Sequence, residues 1–247
     1  MVLHQPHVGA AGPQLTGSRP SGTAVTDPEV GRPVPTTGDP MPGPLVVGLD
    51  LLTDRERHAD DLALACAAAL QAGGGRDLTV GTHWAARGEH RHVALVLQVH
   101  GLDAADAAAV LTAVTPGLSA DATGLTSGGT GLLVGEQFRG AEDLQGVLEE
   151  AVRAQRTRTG GRAVVFPGSR DLVGTTTVAD VLQRSAIDRV QVLGAAVAAP
   201  QTVLVTRDFV RPRWTGGELV LHAQPAAGGV LVPFESPDPT PCCAAHA

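Results

Sequence analysis

Between Arg91 and His100 the chain reads RHVALVLQVH, and this run limits the possible folds more than any other stretch. Val93, Leu95, Leu97 and Val99 alternate with His92, Ala94, Val96, Gln98 and His100. A side-chain period of two belongs to a strand and separates the two sets onto opposite faces. The preceding run DLTVGTHW behaves the same way, with Leu78 and Val80 on the apolar side. The link between the runs, AARGEH, is short enough for a hairpin. A two-residue turn at Arg87-Gly88 would set His83 opposite His92, with His90 two positions along. Side chains directly opposite lie about 4.5 to 5.5 Å apart at Cβ.

Helix signals flank this hairpin. Ahead of it, PLVVGLDLL is a short β-rich run, and Thr53-Asp54-Arg55-Glu56 has the Thr-x-x-Glu spacing of a capping box. The helix it opens, through DDLALACAAALQA, stops at Gly73-Gly74-Gly75. After the hairpin, Asp103 caps AADAAAVLTAV, and GLLVGEQF reads as a fourth strand. The order β-α-β-β-α-β over residues 44–139 is the ferredoxin-like pattern, in which the helices share one sheet face and the other stays open.

Residues 140–235 add a helix in AEDLQGVLEEAVRAQRTR, a strand in RAVVFPG and a short helix capped by Thr177. RVQVLG, TVLVTRDFV, ELVLHAQP and GVLVPFE then supply strands, so the second half is also α+β and rich in antiparallel strands. It is a second domain or a continuation of the first. Residues 1–43, dominated by Gly, Pro, Ser and Thr, form an expected disordered leader. Met41, near the end of that leader and just before the first strand, is an alternative start to Met1. Residues 236–247 form a flexible Pro- and Cys-containing tail.

Composition removes several chemistries. The sequence holds no lysine and no tyrosine, so all 18 of its Lys/Arg cations are arginines. Pyridoxal Schiff bases and phosphate-loop lysines are therefore excluded, as are phenolic acids and bases. A formal charge of −7 argues against nucleic acid. No apolar run reaches the roughly 18 to 20 residues of a membrane span. The opening MVLHQPHVGAAGPQ lacks the basic and apolar regions of a secretory signal, which leaves a cytosolic address. TSGGTGLLVG precedes a strand and not a helix, so it is no dinucleotide loop, and FPGSR lacks the second glycine of a nucleophile elbow.

Three candidate sites remain. His83, His90 and His92 on the outward face of the hairpin could bind a ligand or metal, or simply solvate that face. Arg207, Arg211, Arg213 and Trp214 crowd one strand–turn–strand segment and could clamp an anionic ligand, anchor an interface, or edge a solvated hairpin. Cys242, Cys243 and His246 offer soft donors to Zn(II) or Cu(I), although adjacent cysteines do not wrap one tetrahedral ion well. An inert end and a partner-docking peptide are the other readings of that tail. The functional expectation is a cytosolic, non-enzymatic module that binds a small molecule or a protein through the open sheet face. The alternative is a small-molecule enzyme using His83 and His92 on the open face of a homodimer.

Overall fold

The computed structural model describes residues 43–115, 129–194 and 197–237. The expected leader, Gly43 apart, and the cysteine pair with His246 lie outside them. The described residues are α+β: twelve strands in one mixed, mostly antiparallel sheet, with four α-helices. Among them no helix is long and apolar enough to cross a membrane.

The first half runs β1 (Leu45–Thr53), α1 (Glu56–Ala72), β2 (Arg76–Arg87), β3 (His90–His100), α2 (Ala104–Val114) and β4 (Gly131–Val134). These strands lie antiparallel in the order β4-β1-β3-β2. α1 and α2 share one face, where Ala59, Ala63, Cys66, Leu70 and Leu111 pack on Val93, Leu95, Leu97 and Val99. GLLVGEQF is not a single strand. It folds back at Gly135-Glu136 into β4 and β5 (Gln137–Gly140), with Gly135 at φ 61° supplying the tight turn.

Two local expectations are corrected. Arg87 pairs with His90, so the hairpin turns at Gly88-Glu89 and not at Arg87-Gly88. Gly88 has φ 61°, which suits the first central position of a II′ turn, where glycine carries no Cβ penalty. The capping box at Thr53 does not form, because β1 continues to Thr53, which pairs with Val93. The N-cap of α1 is Arg55, without a side-chain hydrogen bond. By contrast, Asp103 does cap α2, accepting from the Asp106 N–H at 2.8 Å.

The far face of the sheet is not open over its centre. α3 (Gln145–Arg156) lies across it, packing Leu148, Ala151 and Val152 on Val46, Ala94, Val96 and Leu133. Gly48 permits this approach: a Cβ there would stand 3.2 Å from the Leu148 side chain. Val96 is consequently as buried as Leu95.

The sheet continues into the second half. β6 (Arg162–Val165) pairs with β2, and the order then runs β10 (Arg213–Thr215), β11 (Glu218–Ala226), β12 (Val230–Pro233), β9 (Val203–Val205) and β7 (Thr175–Thr177). β8 (Arg189–Val192) pairs in parallel with β11. α4 (Val178–Arg184), capped by Thr177, places Val178 and Val181 in a second core with Ile187, Leu204, Leu219 and Leu221.

Candidate functional site

The two halves meet at β6, which is only four residues long. It pairs with β2 from Val80 to Thr82, and with β10 through Arg162 and Arg213. Beyond Thr82 no described strand continues on that side of β2, so the sheet has a notch. Arg162 and Arg213, as cross-strand partners, project from the same face at its border. α1 passes over this face and carries Asp60 into it.

Asp60 and Arg162 are each 4% exposed. Arg162 grips the carboxylate with both terminal nitrogens, Nη1 to Oδ1 at 2.5 Å and Nη2 to Oδ2 at 3.1 Å. Its Nε donates to Glu235. Arg211 Nε donates to Asp60 Oδ2 at 2.8 Å, and Arg213 Nε to Glu235 Oε1 at 3.1 Å. Burial alone would lower the pKa of Arg162, but its bonds and charge contacts with Asp60 and Glu235 outweigh this and raise it. The guanidinium therefore stays charged inside the protein. Phe209 stacks against this network, with the Arg211 guanidinium 4.2 Å from its ring centre and that of Arg162 at 5.8 Å. Three guanidiniums share two carboxylates, which leaves one positive charge in excess.

Three adjoining cavities open around the network, and Glu56 at the start of α1 borders all of them. The first, of about 670 Å³, fills the notch between His83, Trp84, Arg91, Arg162 and Arg213. Trp84 there is half-exposed, donates from Nε1 to Glu56 Oε1 at 2.9 Å, and carries the Arg91 guanidinium on its ring at 4.9 Å. The second, of about 770 Å³, lies between Asp60, Arg207, Phe209, Arg211 and Phe234. The third, of about 410 Å³, is bordered by Arg211, Arg213, His222 and Glu235. Such volumes suit a small organic ligand.

The histidines do not assemble as the sequence suggested. The shift of the turn by one residue sets His83 opposite Ala94 and His92 opposite Ala85. His83 is buried, and its Nε2 lies 3.0 Å from Gln155 Oε1 on α3. Its ring fills the space over Gly161, where an added Cβ would come within 2.4 Å of it. Desolvation lowers the pKa of His83 against the opposing pull of Gln155, so the imidazole is neutral near pH 7. With its Nε2–H given to Gln155, Nδ1 is left as an acceptor.

His92 is engaged elsewhere, with Nε2 2.7 Å from Asp50 Oδ2 in a fully buried pair. Burial pushes the Asp50 carboxyl up, opposed by the Leu52 N–H and by His92. His90 stands exposed beside the turn. Among the described residues no group of three His, Cys, Asp or Glu side chains is placed to hold a metal ion.

Of the second candidate set, Arg211 and Arg213 belong to the seam, but as partners of carboxylates and not as a free clamp. Trp214 does not join them. Strand alternation turns it to the other face, where it is buried in the second core with the Arg158 guanidinium 4.9 Å over its ring. Cys242, Cys243 and His246 lie outside the described residues. Cys66 is buried in the first core, and its desolvated thiol is pushed up to about 11.

Sequence reasoning missed Asp60, Arg162, Glu235 and Glu56 as site residues. One signal was available: Asp60 interrupts the apolar stripe Ala59, Ala63, Ala67, and Arg162 opens the apolar strand RAVV. A charge on a buried stripe needs a partner. Comparison with known protein families, curated proteins and solved structures gives no match.

Proposed function

We propose that this protein is a non-enzymatic small-molecule-binding module whose ligand occupies the depression at the arginine seam. The observation that carries the reading is the buried Asp60–Arg162 pair, joined by the partly buried Arg211, at the border of a cavity of about 770 Å³. Isolated charges are expensive to bury, and placing an interlocked set beside an open cavity gives a rigid, charged wall for recognition. Guanidiniums do not exchange protons near neutral pH, so the arginines of this wall supply fixed charge and orientation and not acid–base chemistry. The first half is read as ferredoxin-like, supported by the order β4-β1-β3-β2 with α1 and α2 on one face. A cytosolic place accords with the free thiol of Cys66.

One observation favours a second reading, an enzyme with His83 as its base. The neutral imidazole borders the notch cavity, as a general base would. Native mass spectrometry of the protein as purified tests the first reading. A retained small-molecule adduct that is displaced unchanged supports binding. An adduct released as a chemically altered product would transfer the case to the enzyme.

A further inference from the structure

Resting on that reading, we infer that the second cavity takes a flat apolar molecule bearing a carboxylate or phosphate, and that Arg207 recognises its charge. Arg207 and Asp208 are consecutive residues in the left-handed region, at φ 56° and 53°. Both are central in the turn from Thr206 to Phe209, which the Phe209 N–H closes onto the Thr206 carbonyl at 3.1 Å. That conformation is unfavourable for an L-residue and is normally left to Gly, Asn or Asp.

Asp208 has a structural reason to be there. Its Oδ1 accepts from the Gly174 N–H at 2.7 Å, and its own N–H donates to Thr206 Oγ1 at 3.2 Å. Arg207 has none of this. It is exposed, and among the described residues no carboxylate pairs with it, whereas Arg162, Arg211 and Arg213 are all paired. The turn nevertheless fixes this uncompensated cation at the border of the cavity.

The rest of the wall specifies the other half of the ligand. Phe209, with the Arg211 and Arg162 guanidiniums at 4.2 and 5.8 Å from its ring centre, presents an aromatic wall, and Phe234, also on the cavity wall, is 53% exposed. Leu64, 48% exposed, continues the apolar border. Arg211 spends Nε on Asp60 and Nη1 on the Val210 carbonyl, so among the described residues Nη2 has no protein acceptor. A planar guanidinium forks a carboxylate or phosphate with two parallel bonds, and flat aromatic walls select a flat body. The cavity as a whole is lined by four arginines and four carboxylates, so the preference for an anion rests on Arg207, which has no carboxylate partner among the described residues.

The test is calorimetric titration of the full chain with three probes of one shape: naphthoate, naphthyl phosphate and neutral naphthylmethanol. Both anions, or the one whose headgroup fits, should bind at least about tenfold more tightly than the alcohol. Arg207→Gln should bring the anion down to the level of the alcohol without lowering the urea midpoint, since it removes a charge and no packing. Phe234→Ala should weaken all three probes. Equal affinity for anion and alcohol, or unchanged anion binding in Arg207→Gln, overturns the charge assignment. In that case a loss in Phe234→Ala would still support the cavity as a binding site. No binding by any probe overturns the inference, and the adduct seen or not seen in native mass spectrometry then decides the binding reading separately.

Discussion

Replacing Asp60 by Asn tests whether the seam is a buried ionic structure or a surface decoration. The substitution preserves shape and removes one charge. Asp60 accepts three bonds from guanidiniums, two from Arg162 and one from Arg211. Asn would keep one acceptor and turn an N–H₂ group toward cations that only donate. Removing one member of a buried pair costs about 3 to 5 kcal/mol, chiefly because a charge is left without compensation. Glu235 still holds Arg162, so the low end of that range, about 3 kcal/mol, is expected. Whole domains are stable by only about 5 to 15 kcal/mol, so the change should be plain in urea unfolding, as a lower midpoint at constant slope. Asp143→Asn is the control. Asp143 pairs with Arg87 at 2.5 Å, but the two side chains are 51% and 37% exposed. Surface pairs contribute about 0 to 1 kcal/mol. If the two variants lose the same stability to within about 1 kcal/mol, the seam is solvated in solution and the reasoning fails.

Leu95→Ala should cost about 2 to 5 kcal/mol, and Val96→Ala, facing α3, about 2 kcal/mol; a negligible loss at Val96 in urea unfolding would mean that α3 does not cover that face. His83 has its folded pKa lowered below the ordinary 6.5, so the unfolded chain binds the proton more readily. Its contribution to stability is therefore present above pH 6.5 and is lost as pH falls from there toward the folded pKa. Urea unfolding at pH 7.5 and 5.5 should show this loss reduced in His83→Gln, by up to about 1.4 kcal/mol per pH unit; identical pH dependence would remove His83 as the cause. Mass-mapped alkylation should leave Cys66 unmodified in the folded protein and label it in urea, whereas fast native labelling would place it outside the core. Finally, the reduced protein should bind Zn(II) or Cu(I) weakly, and Cys242→Ser with Cys243→Ser should abolish this without moving Tm; unchanged binding in the double variant would exclude the tail as the donor.

What the sequence disclosed and what it withheld follow from the range of the interactions. β3 was legible because Val93, Leu95, Leu97 and Val99 recur at every second residue, and α1 and α2 because their glycine stop and aspartate cap are local. The turn was misplaced because Arg87-Gly88 and Gly88-Glu89 both give two-residue loops. Only the preference of glycine for the first central position separates them. The second layer was foreshadowed: Ala94 and Val96 are apolar on the face expected to be open, and a solvated face would not have needed them. The seam was hidden for a different reason. Asp60 meets Arg162 across 102 residues of sequence and Arg211 across 151, and no local pattern reports such a pairing. Arg207 was inside a segment already noted for its arginines, but its positive φ is a property of the folded turn.

The central claim is that small molecules bind at the seam, and protein-observed NMR with a fragment library tests it most directly. Amide and side-chain signals of Glu56, Trp84, Arg162, Arg211 and Phe234 should shift together on titration, because these residues border the adjoining cavities. The indole N–H of Trp84, bonded to Glu56, gives a resolved reporter distinct from buried Trp214. Hits that cluster on these signals, and disappear when Phe234→Ala removes one wall, are the predicted result. Fragments that bind only elsewhere, with the seam signals unmoved, would contradict the account.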